Sequence, residues 1–181
     1  GGLARWNDPA NTLDFSRPLV DSLKDHGFDY SFLNLLGTQN PPYAFFENNM
    51  LVGDVGDLIE WAPGIYGDSV IEKGGIGVST WDTTEIEVTL LEKAVQFIRQ
   101  SHTAAPKAPF FLYLPLAAIH SPHTPPIDIA GFPARGVSGL SNKGDLMHAV
   151  DTIVHQILLT LEEEGILNET LIVFTSDNGA L

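Results

Sequence analysis

The sequence predicts an α/β fold, with a mostly parallel sheet flanked by helices. Two segments, 84–98 and 146–161, have the spacing of apolar residues that is typical of amphipathic helices. Each is followed by a short apolar run of strand length, at 110–114 and at 170–175. Continuous apolar runs of this length suit strands that are buried on both faces of a parallel sheet. The order of helix and strand therefore predicts right-handed crossover units.

The first half of the chain is expected to form strands and irregular loops. Residues 28–36 have the composition of a strand, and the apolar segments 43–46 and 50–52 flank Glu47-Asn48-Asn49. This arrangement predicts a β-hairpin with an asparagine-rich turn. Residues 53–82 contain seven glycines and are expected to form a long irregular excursion on the surface.

The helix boundaries can also be predicted. Thr84 and Glu87 have the spacing of a capping box, so the first helix is expected to begin near Thr84. Gly165 is placed to end the second helix, and Asp145 at its start is interpreted as a cap or as a partner of the helix dipole. The Pro- and Gly-rich segment 117–144 lies between the helices, and loops of this length are usually functional.

The composition limits the possible functions. Nine basic and 23 acidic residues give a net charge of −14, which excludes a broad basic surface for nucleic acid. The acidic side chains could bind a metal cation or simply favour solubility. The absence of cysteine excludes disulfides, thiolate metal sites and a thiol nucleophile within this sequence.

The sequence predicts neither a membrane span nor a signal peptide. Its longest apolar runs fall well short of the roughly 20 residues that a spanning helix needs. The first residues lack the basic and then apolar pattern of a signal peptide. They also lack an initiator methionine, so Gly1 is not expected to be the natural start of translation.

Candidate functional residues follow each of the two late strands. In open α/β sheets, ligands bind beyond the carboxyl ends of the strands. His120 and His123 follow the run at 110–114, and Asp177 and Asn178 follow the run at 170–175. If both strands are parallel, these four side chains are delivered to the same edge of the sheet.

Each of these candidates has a chemical and a simpler interpretation. Asp177 and Asn178 offer oxygen ligands for Ca²⁺ or Mg²⁺, but Asp-Asn-Gly is also a common turn sequence. His120 and His123 could serve in acid–base chemistry or contact an anion, or they could be residues of a surface loop. Two further histidines with a spacing of seven, at 148 and 155, are interpreted as ordinary helix residues.

Seven segments together resemble the sulfatase family, most closely its arylsulfatase branch within the alkaline-phosphatase-like superfamily. They are DFSRP (14–18), HGFDYSF (26–32), NPPYAFFEN (40–48), LLEKAVQFI (90–98), PFFLYLPLAAIHSP (109–122), GDLMHAVDTIV (144–154) and GILNETLIVFTSDNG (165–179). The last is the most specific, because a helix end, a strand and Asp-Asn-Gly follow one another as they do in that family.

The resemblance implies roles for the candidate residues. It implies that Asp177 and Asn178 bind a divalent cation, Ca²⁺ or alternatively Mg²⁺. It implies that His120 contacts the sulfate group near the leaving oxygen, whereas His123 would at most contact substrate at the rim. The implied partner is a small-molecule or glycan sulfate ester, with no nucleic acid and no membrane span. A secretory, lysosomal or periplasmic compartment is implied by the resemblance alone.

The sequence also departs from the family pattern. The family nucleophile is a formylglycine made from Cys or Ser, and the nearest match, Ser16-Arg-Pro-Leu-Val20, has valine where arginine is required. A pair of N-terminal aspartates that completes the metal site is missing as well. Residues 1–181 are therefore predicted to be one partial sulfatase catalytic domain, without the N-terminal nucleophile segment and the C-terminal part.

Three functional hypotheses follow from this resemblance. The first is that the full-length protein hydrolyses sulfate monoesters with a divalent metal and a formylglycine formed outside this chain, and that the chain alone is inactive. The second is a phosphodiesterase or phosphonate hydrolase of the same superfamily, because a cation and a histidine suit phosphoryl groups too. The third is a non-catalytic binding protein derived from a sulfatase.

Overall fold

A computed structural model describes residues 14–61, 65–66, 69–70 and 74–179 of the chain. The strands are β1 (Phe32–Asn34), β2 (Phe45–Glu47), β3 (Met50–Leu51), β4 (Leu58–Trp61), β5 (Ile65–Tyr66), β6 (Ser69–Val70), β7 (Gly75–Val78), β8 (Asp128–Ile129) and β9 (Phe132–Pro133). The α-helices are α1 (Ile86–Ala104) and α2 (Asn142–Glu163). Short 3₁₀ helices cover Leu23–His26, Val55–Asp57, Thr83–Glu85 and Leu167–Glu169. This combination of helices and small sheets confirms the predicted α/β class.

The predicted hairpin is present. Strands β1, β2 and β3 form an antiparallel sheet in that order, and the β2–β3 turn is made by Asn48 and Asn49. Both asparagines have positive φ angles, 46° and 76°, which match the turn type that favours asparagine in two-residue hairpins. The Asn48 side chain also accepts a hydrogen bond from the Ser31 backbone N–H at 3.1 Å, and this contact fixes the turn against the start of β1.

The glycine-rich segment is more regular than predicted. Strand β4 pairs antiparallel with β7, from Leu58 opposite Val78 to Trp61 opposite Gly75, and β5 pairs with β6 between them. The expectation of an irregular excursion was therefore wrong for these residues. Glycine carries a low strand propensity, which conceals β7 in the sequence. At Gly75 the glycine is required, because a Cβ atom would collide with the ring of Pro41.

The two helices bury most of the apolar stripes that the sequence predicted. On α1 the buried residues include Ile86, Leu90, Leu91, Ala94 and Ile98, and on α2 they include Leu146, Ile153 and Leu161. Met147, which was expected in the stripe of α2, is exposed, and Ala149 is buried instead. The start of α1 differs from the prediction. Asp82 caps the preceding 3₁₀ turn by accepting hydrogen bonds from the backbone and the hydroxyl of Thr84. Thr84 is thus not the cap.

Two apolar clusters form the core. The first contains Phe15, Tyr43, Ala44, Phe46, Val78, Trp81, Ile86 and Leu90. The second contains Leu91, Ile129, Ala134, Ala149 and Ile153, and it fills the space between α1, α2 and the β8–β9 hairpin. Leu114 packs against both clusters, so the segment after residue 110 crosses the junction between them.

The parallel sheet predicted from the two apolar runs is not formed within the described residues. Every ladder of that part of the chain is antiparallel, and the one parallel element is an isolated bridge between Tyr43 and Gly77. The run at 110–114 is extended, with one face against the helices and Phe111 and Tyr113 exposed. Residues 171–179 are exposed throughout. No neighbouring strand pairs with either run in the described part of the chain, so the second face of the run at 110–114 and the side chains of 171–175 are exposed.

Asp145 ties the long loop to α2. It lies in the first turn of the helix and is 3% exposed, yet it does not cap the helix, because Ser141 takes that role. Its carboxylate instead accepts hydrogen bonds from the backbone N–H of Gly136 at 2.6 Å and of Ser138 at 2.9 Å. Burial alone would raise the pKa of Asp145, but these hydrogen bonds hold its pKa below the ordinary value.

Truncation of Ile153 to alanine tests the packing of the second cluster. Ile153 is 1% exposed and packs in the second cluster, and we expect its loss to reduce the free energy of unfolding by about 2–5 kcal/mol. Urea denaturation gives this value. The control is Met147→Ala, because Met147 on the same helix is 56% exposed and should change stability by no more than about 0.5 kcal/mol. Equal losses for both variants would contradict this packing.

Replacement of Asp145 by asparagine tests the loop anchor. The asparagine amide keeps one acceptor oxygen, but its N–H₂ group faces a backbone donor. We therefore expect the free energy of unfolding to fall by about 1.5–3 kcal/mol at neutral pH. A carboxyl group whose pKa is lowered by folding stabilises the protein above the unfolded-state pKa of 3.8, and this contribution disappears as the pH falls below it. The difference in stability between wild type and variant should therefore shrink below about pH 4. A difference that is constant with pH would contradict the assignment.

Candidate active site

His120 lies at the end of a tight turn after the extended run. The turn is closed by a hydrogen bond from the His120 backbone N–H to the carbonyl oxygen of Ala117, 3.0 Å long. The Nδ1 atom of the ring is 2.7 Å from the carbonyl oxygen of Ser121. Because a carbonyl oxygen only accepts, Nδ1 carries the proton of this bond. The other ring nitrogen, Nε2, is then the reactive one, on a side chain that is exposed.

The loop that follows β1 holds the other side of His120. The hydroxyl of Thr38 donates to the carbonyl oxygen of Ser121 at 3.0 Å, and the amide of Gln39 donates to the Ser121 hydroxyl at 2.8 Å. Gly37 allows the chain to turn there, because its φ angle of 68° lies in the left-handed region. Sequence reasoning did not assign Thr38 or Gln39 to the site, since residues more than 80 positions apart give no local signal.

Glu87 is a second site residue that the sequence analysis misassigned. It was interpreted as the partner of Thr84 in a capping box. In the structure its Oε1 atom accepts a hydrogen bond from the backbone N–H of Ala118, 2.7 Å away. Burial raises the pKa of Glu87 to about 7, although the backbone N–H groups of Ala118 and Ala117 lower it. A signal was present, because Glu87 falls on the same helical face as Leu91 and Ala94.

A small, partly open pocket lies beside these groups. Glu87 and His120 line it together with Thr38, with residues at the start of α1, with neighbours of His120 and with one residue of α2, namely Thr83, Ile86, Ala117, Ala118, Pro122, Thr124 and Leu146. Thr124 also donates to the carbonyl oxygen of Thr83 at 3.4 Å, which joins the far end of the loop to the start of α1. The part of the 117–144 segment that carries His120 and Thr124, here called the histidine loop, is therefore connected to the core at several points.

His123 lies on the same loop but in a different environment. Its side chain is half-buried, and its backbone carbonyl oxygen accepts a hydrogen bond from the Asn142 side chain at 3.2 Å. Pro122 and Pro125 on either side are buried, and the guanidinium group of Arg135 donates twice to the carbonyl oxygen of Pro125. These contacts give the loop a fixed path, and a chemical role for His123 stays a prediction.

Asp177 and Asn178 lie in the exposed segment 171–179. The Asp177 carboxylate accepts hydrogen bonds from the backbone N–H of Asn178 at 2.9 Å and from its side-chain amide at 2.8 Å. The two residues thus bond to each other at a bend of the chain, and their role as metal ligands stays a prediction. Their approach to His120 at a common sheet edge stays a prediction.

Asp177 and Asn178 offer the type of donor atom that calcium binds, but too few donors for a complete site. Asp177 and Asn178 provide a carboxylate and an amide oxygen, whereas Ca²⁺ takes six to eight oxygen ligands. No cluster of three or more His, Cys, Asp or Glu side chains suited to a metal occurs within 14–61, 65–66, 69–70 and 74–179. The described residues alone therefore do not make a complete cation site.

The remaining candidates have ordinary surroundings. His148 and His155 are exposed on α2, and the ring of His155 contacts Phe132 edge to face. Ser16 is exposed, and its hydroxyl donates to the side chain of Asp14.

Among the described residues, neither α-helix combines the length and the apolar character that a membrane span needs.

Comparisons with known proteins agree on one family. A family profile described as Sulfatase matches residues 8–181. The chain is 39% identical to an N-acetylgalactosamine-6-sulfatase of Rattus norvegicus, over 91% of this chain and 28% of that protein. It is 28% identical to an N-acetylgalactosamine-6-O-sulfatase of Bacteroides thetaiotaomicron, over 99% of this chain and 40% of that protein.

The fold has a counterpart among solved structures. A structure from work on the metabolism of multiple glycosaminoglycans by Bacteroides thetaiotaomicron superposes with a TM-score of 0.69 at 23% identity. The superposition covers 87% of this chain and 37% of that one. The chain thus spans two fifths or less of the length of these relatives. The family profile matches nearly the whole length of this chain. The chain therefore belongs to the sulfatase family.

Proposed function

We propose that the full-length protein that contains this chain hydrolyses sulfate monoesters, and that His120 contacts the sulfate group near the leaving oxygen. The observation that supports this role most directly is the geometry of the imidazole. Its Nδ1 atom is bonded to the carbonyl oxygen of Ser121, and its side chain is exposed at the end of a fixed turn. This leaves Nε2 for a ligand.

The chemistry of a sulfate monoester needs such a group. When the S–O bond to the alcohol breaks, the electron pair of the bond stays on the leaving oxygen, where negative charge develops. A proton from His120 Nε2 would convert this oxygen into a neutral hydroxyl group. The Nδ1 proton is donated to the carbonyl oxygen of Ser121. Nε2 can therefore donate only when both ring nitrogens carry a proton. The imidazolium form is therefore the active one for this step.

We also propose that Asp177 and Asn178 provide two ligands of a Ca²⁺ ion, with Mg²⁺ as the alternative. Their hard oxygen donors support this assignment, and the further ligands would come from outside the described residues. A bound cation would supply positive charge next to the sulfate oxygens. The nucleophile would be a formylglycine outside this chain, because the sequence contains no cysteine and Ser16 lacks the required context.

The substrate class follows from the relatives and from charge. Relatives named N-acetylgalactosamine-6-sulfatase support a sulfated glycan as the substrate. These 181 residues have a net charge of −14, which opposes a long contact of this part of the protein with a polyanion. We therefore propose that a sulfated sugar enters the site. A secretory, lysosomal or periplasmic compartment stays a prediction.

The role of His120 is tested by its replacement with alanine in the full-length protein. Loss of a proton donor at the leaving oxygen should lower kcat for a sulfate ester by about 10²–10⁴-fold. The matched control is His148→Ala, because His148 is exposed on α2 and should leave kcat unchanged. Unchanged turnover in the His120 variant would refute its role.

The same assay separates the three functional hypotheses. A sulfatase cleaves a sulfated sugar and releases sulfate, whereas a phosphodiesterase or phosphonate hydrolase would act on the corresponding phosphoryl compound. A non-catalytic protein would bind the sulfated sugar without cleaving it. Turnover by residues 1–181 alone would contradict the prediction that this chain is inactive by itself.

The cation site is tested by direct measurement of bound calcium. Replacement of Asp177 by alanine in the full-length protein should weaken Ca²⁺ binding by about 10-fold or more, as followed by isothermal titration calorimetry. The control is Asp151→Ala on the exposed face of α2, which removes the same charge from a different place. Equal calcium affinity in the wild type and the Asp177 variant would exclude Asp177 as a ligand.

A further inference from the structure

Glu87 is a buried carboxyl group that the proposed chemistry does not use. It is 4% exposed, and its Oε2 atom has no hydrogen-bond partner among the described residues. Buried polar atoms are almost always paired, so an unpaired one requires an explanation. Its other oxygen, Oε1, makes a short hydrogen bond to the backbone N–H of Ala118. This contact lies two residues before His120.

The helix that carries Glu87 is a rigid support. Glu87 occupies the first turn of α1, where Ile86 is 1% exposed and Leu90 and Leu91 are buried in the two core clusters. The preceding turn is fixed by a hydrogen bond of 2.9 Å from the indole N–H of Trp81 to the hydroxyl of Thr83. A side chain that extends from this position keeps a well-defined place relative to the core.

Two anchors therefore hold His120, one on each side in the sequence. Glu87 binds the backbone of Ala118 on the N-terminal side, and Thr38 binds the carbonyl oxygen of Ser121 on the C-terminal side. The turn between them is closed by the bond from the His120 N–H to Ala117. These contacts hold the backbone around His120 in place, and the imidazole ring that it carries is exposed.

We propose that Glu87 is a positioning residue for His120, which holds the Ala117–His120 turn against α1 so that Nε2 keeps its direction towards the leaving oxygen. The inference rests on the proposed function of His120. An uncharged apolar residue at position 87 would leave the N–H group of Ala118 unpaired and release the N-terminal side of the turn. Displacement of a catalytic group by about 1 Å can reduce a rate by about 10²-fold.

The test compares Glu87→Ala, Glu87→Gln and the matched control Glu92→Ala in the full-length protein, with kcat and KM measured for a sulfated sugar. Glu92 lies on the exposed face of the same helix. We expect Glu87→Ala to lower kcat by about 10–100-fold with little change in KM. Glu87→Gln keeps a carbonyl oxygen for the Ala118 N–H and should restore most of kcat, while Glu92→Ala should behave as the wild type.

A double-mutant cycle with His120 distinguishes positioning from a structural role. If Glu87 acts through His120, then Glu87→Ala in the background of His120→Ala should cause almost no further loss of kcat. Multiplicative losses would overturn the proposal, as would an equal loss in Glu87→Ala and Glu87→Gln. An unchanged kcat in folded Glu87→Ala would overturn it too. Folding is checked for each variant by circular dichroism and thermal unfolding. If Glu87→Ala is unfolded, a loss of kcat by about 10–100-fold in folded Glu87→Gln, which keeps the acceptor for Ala118, would overturn the proposal.

The failure of this inference can be separated from the failure of the proposed function. If His120→Ala leaves kcat unchanged, then the proposed role of His120 is wrong, and with it the inference about Glu87. If His120→Ala lowers kcat but Glu87→Ala does not, then only the positioning role of Glu87 is wrong.

Discussion

The packing of α1 against α2 is the constraint on which the candidate site depends. The two helices enclose Ile129 and Ala134 of the β8–β9 region, each 0% exposed, and thereby fix the middle of the long loop between residues 117 and 144. Leu114 joins the two core clusters at the point where the chain enters that loop. His120 can be exposed and still have a fixed position because the segments on either side of it are bound to this core.

Buried carboxyl groups in this acidic chain are bound by backbone N–H groups. With nine basic residues against 23 acidic ones, there are too few cations to pair with every carboxylate. Asp145 binds the N–H groups of Gly136 and Ser138, and Glu87 binds that of Ala118. The two pKa values move in opposite directions, because hydrogen bonds outweigh burial at Asp145 and burial outweighs them at Glu87. The same type of contact thus accompanies a lowered pKa at Asp145 on α2 and a raised pKa at Glu87 beside the site.

The sequence predicted local features well and long-range pairing poorly. The apolar stripes of α1 and α2, the turn at Asn48 and Asn49 and the position of His120 in a proline-rich loop follow from neighbouring residues. Strand β7 was missed because glycines interrupt its pattern, and Glu87 was assigned to a cap because its spacing to Thr84 fits one. The contacts of Thr38 and Gln39 with Ser121 join segments more than 80 residues apart, and no periodicity encodes them. The two apolar runs pair with no strand among the described residues, so the predicted parallel sheet could not be checked from local pattern alone.

The two halves of the proposed site differ in how well this chain organises them. The histidine loop is held by hydrogen bonds to α1, to the loop after β1 and to α2, so its geometry exists before any ligand binds. Asp177 and Asn178 follow Leu171, Val173 and Phe174, which are 72–89% exposed, and they bond mainly to each other. A cation bound by these two residues would compete with the hydrogen bonds between them. The proposed cation ligands therefore lie on an exposed segment, whereas His120 is held by contacts to the core.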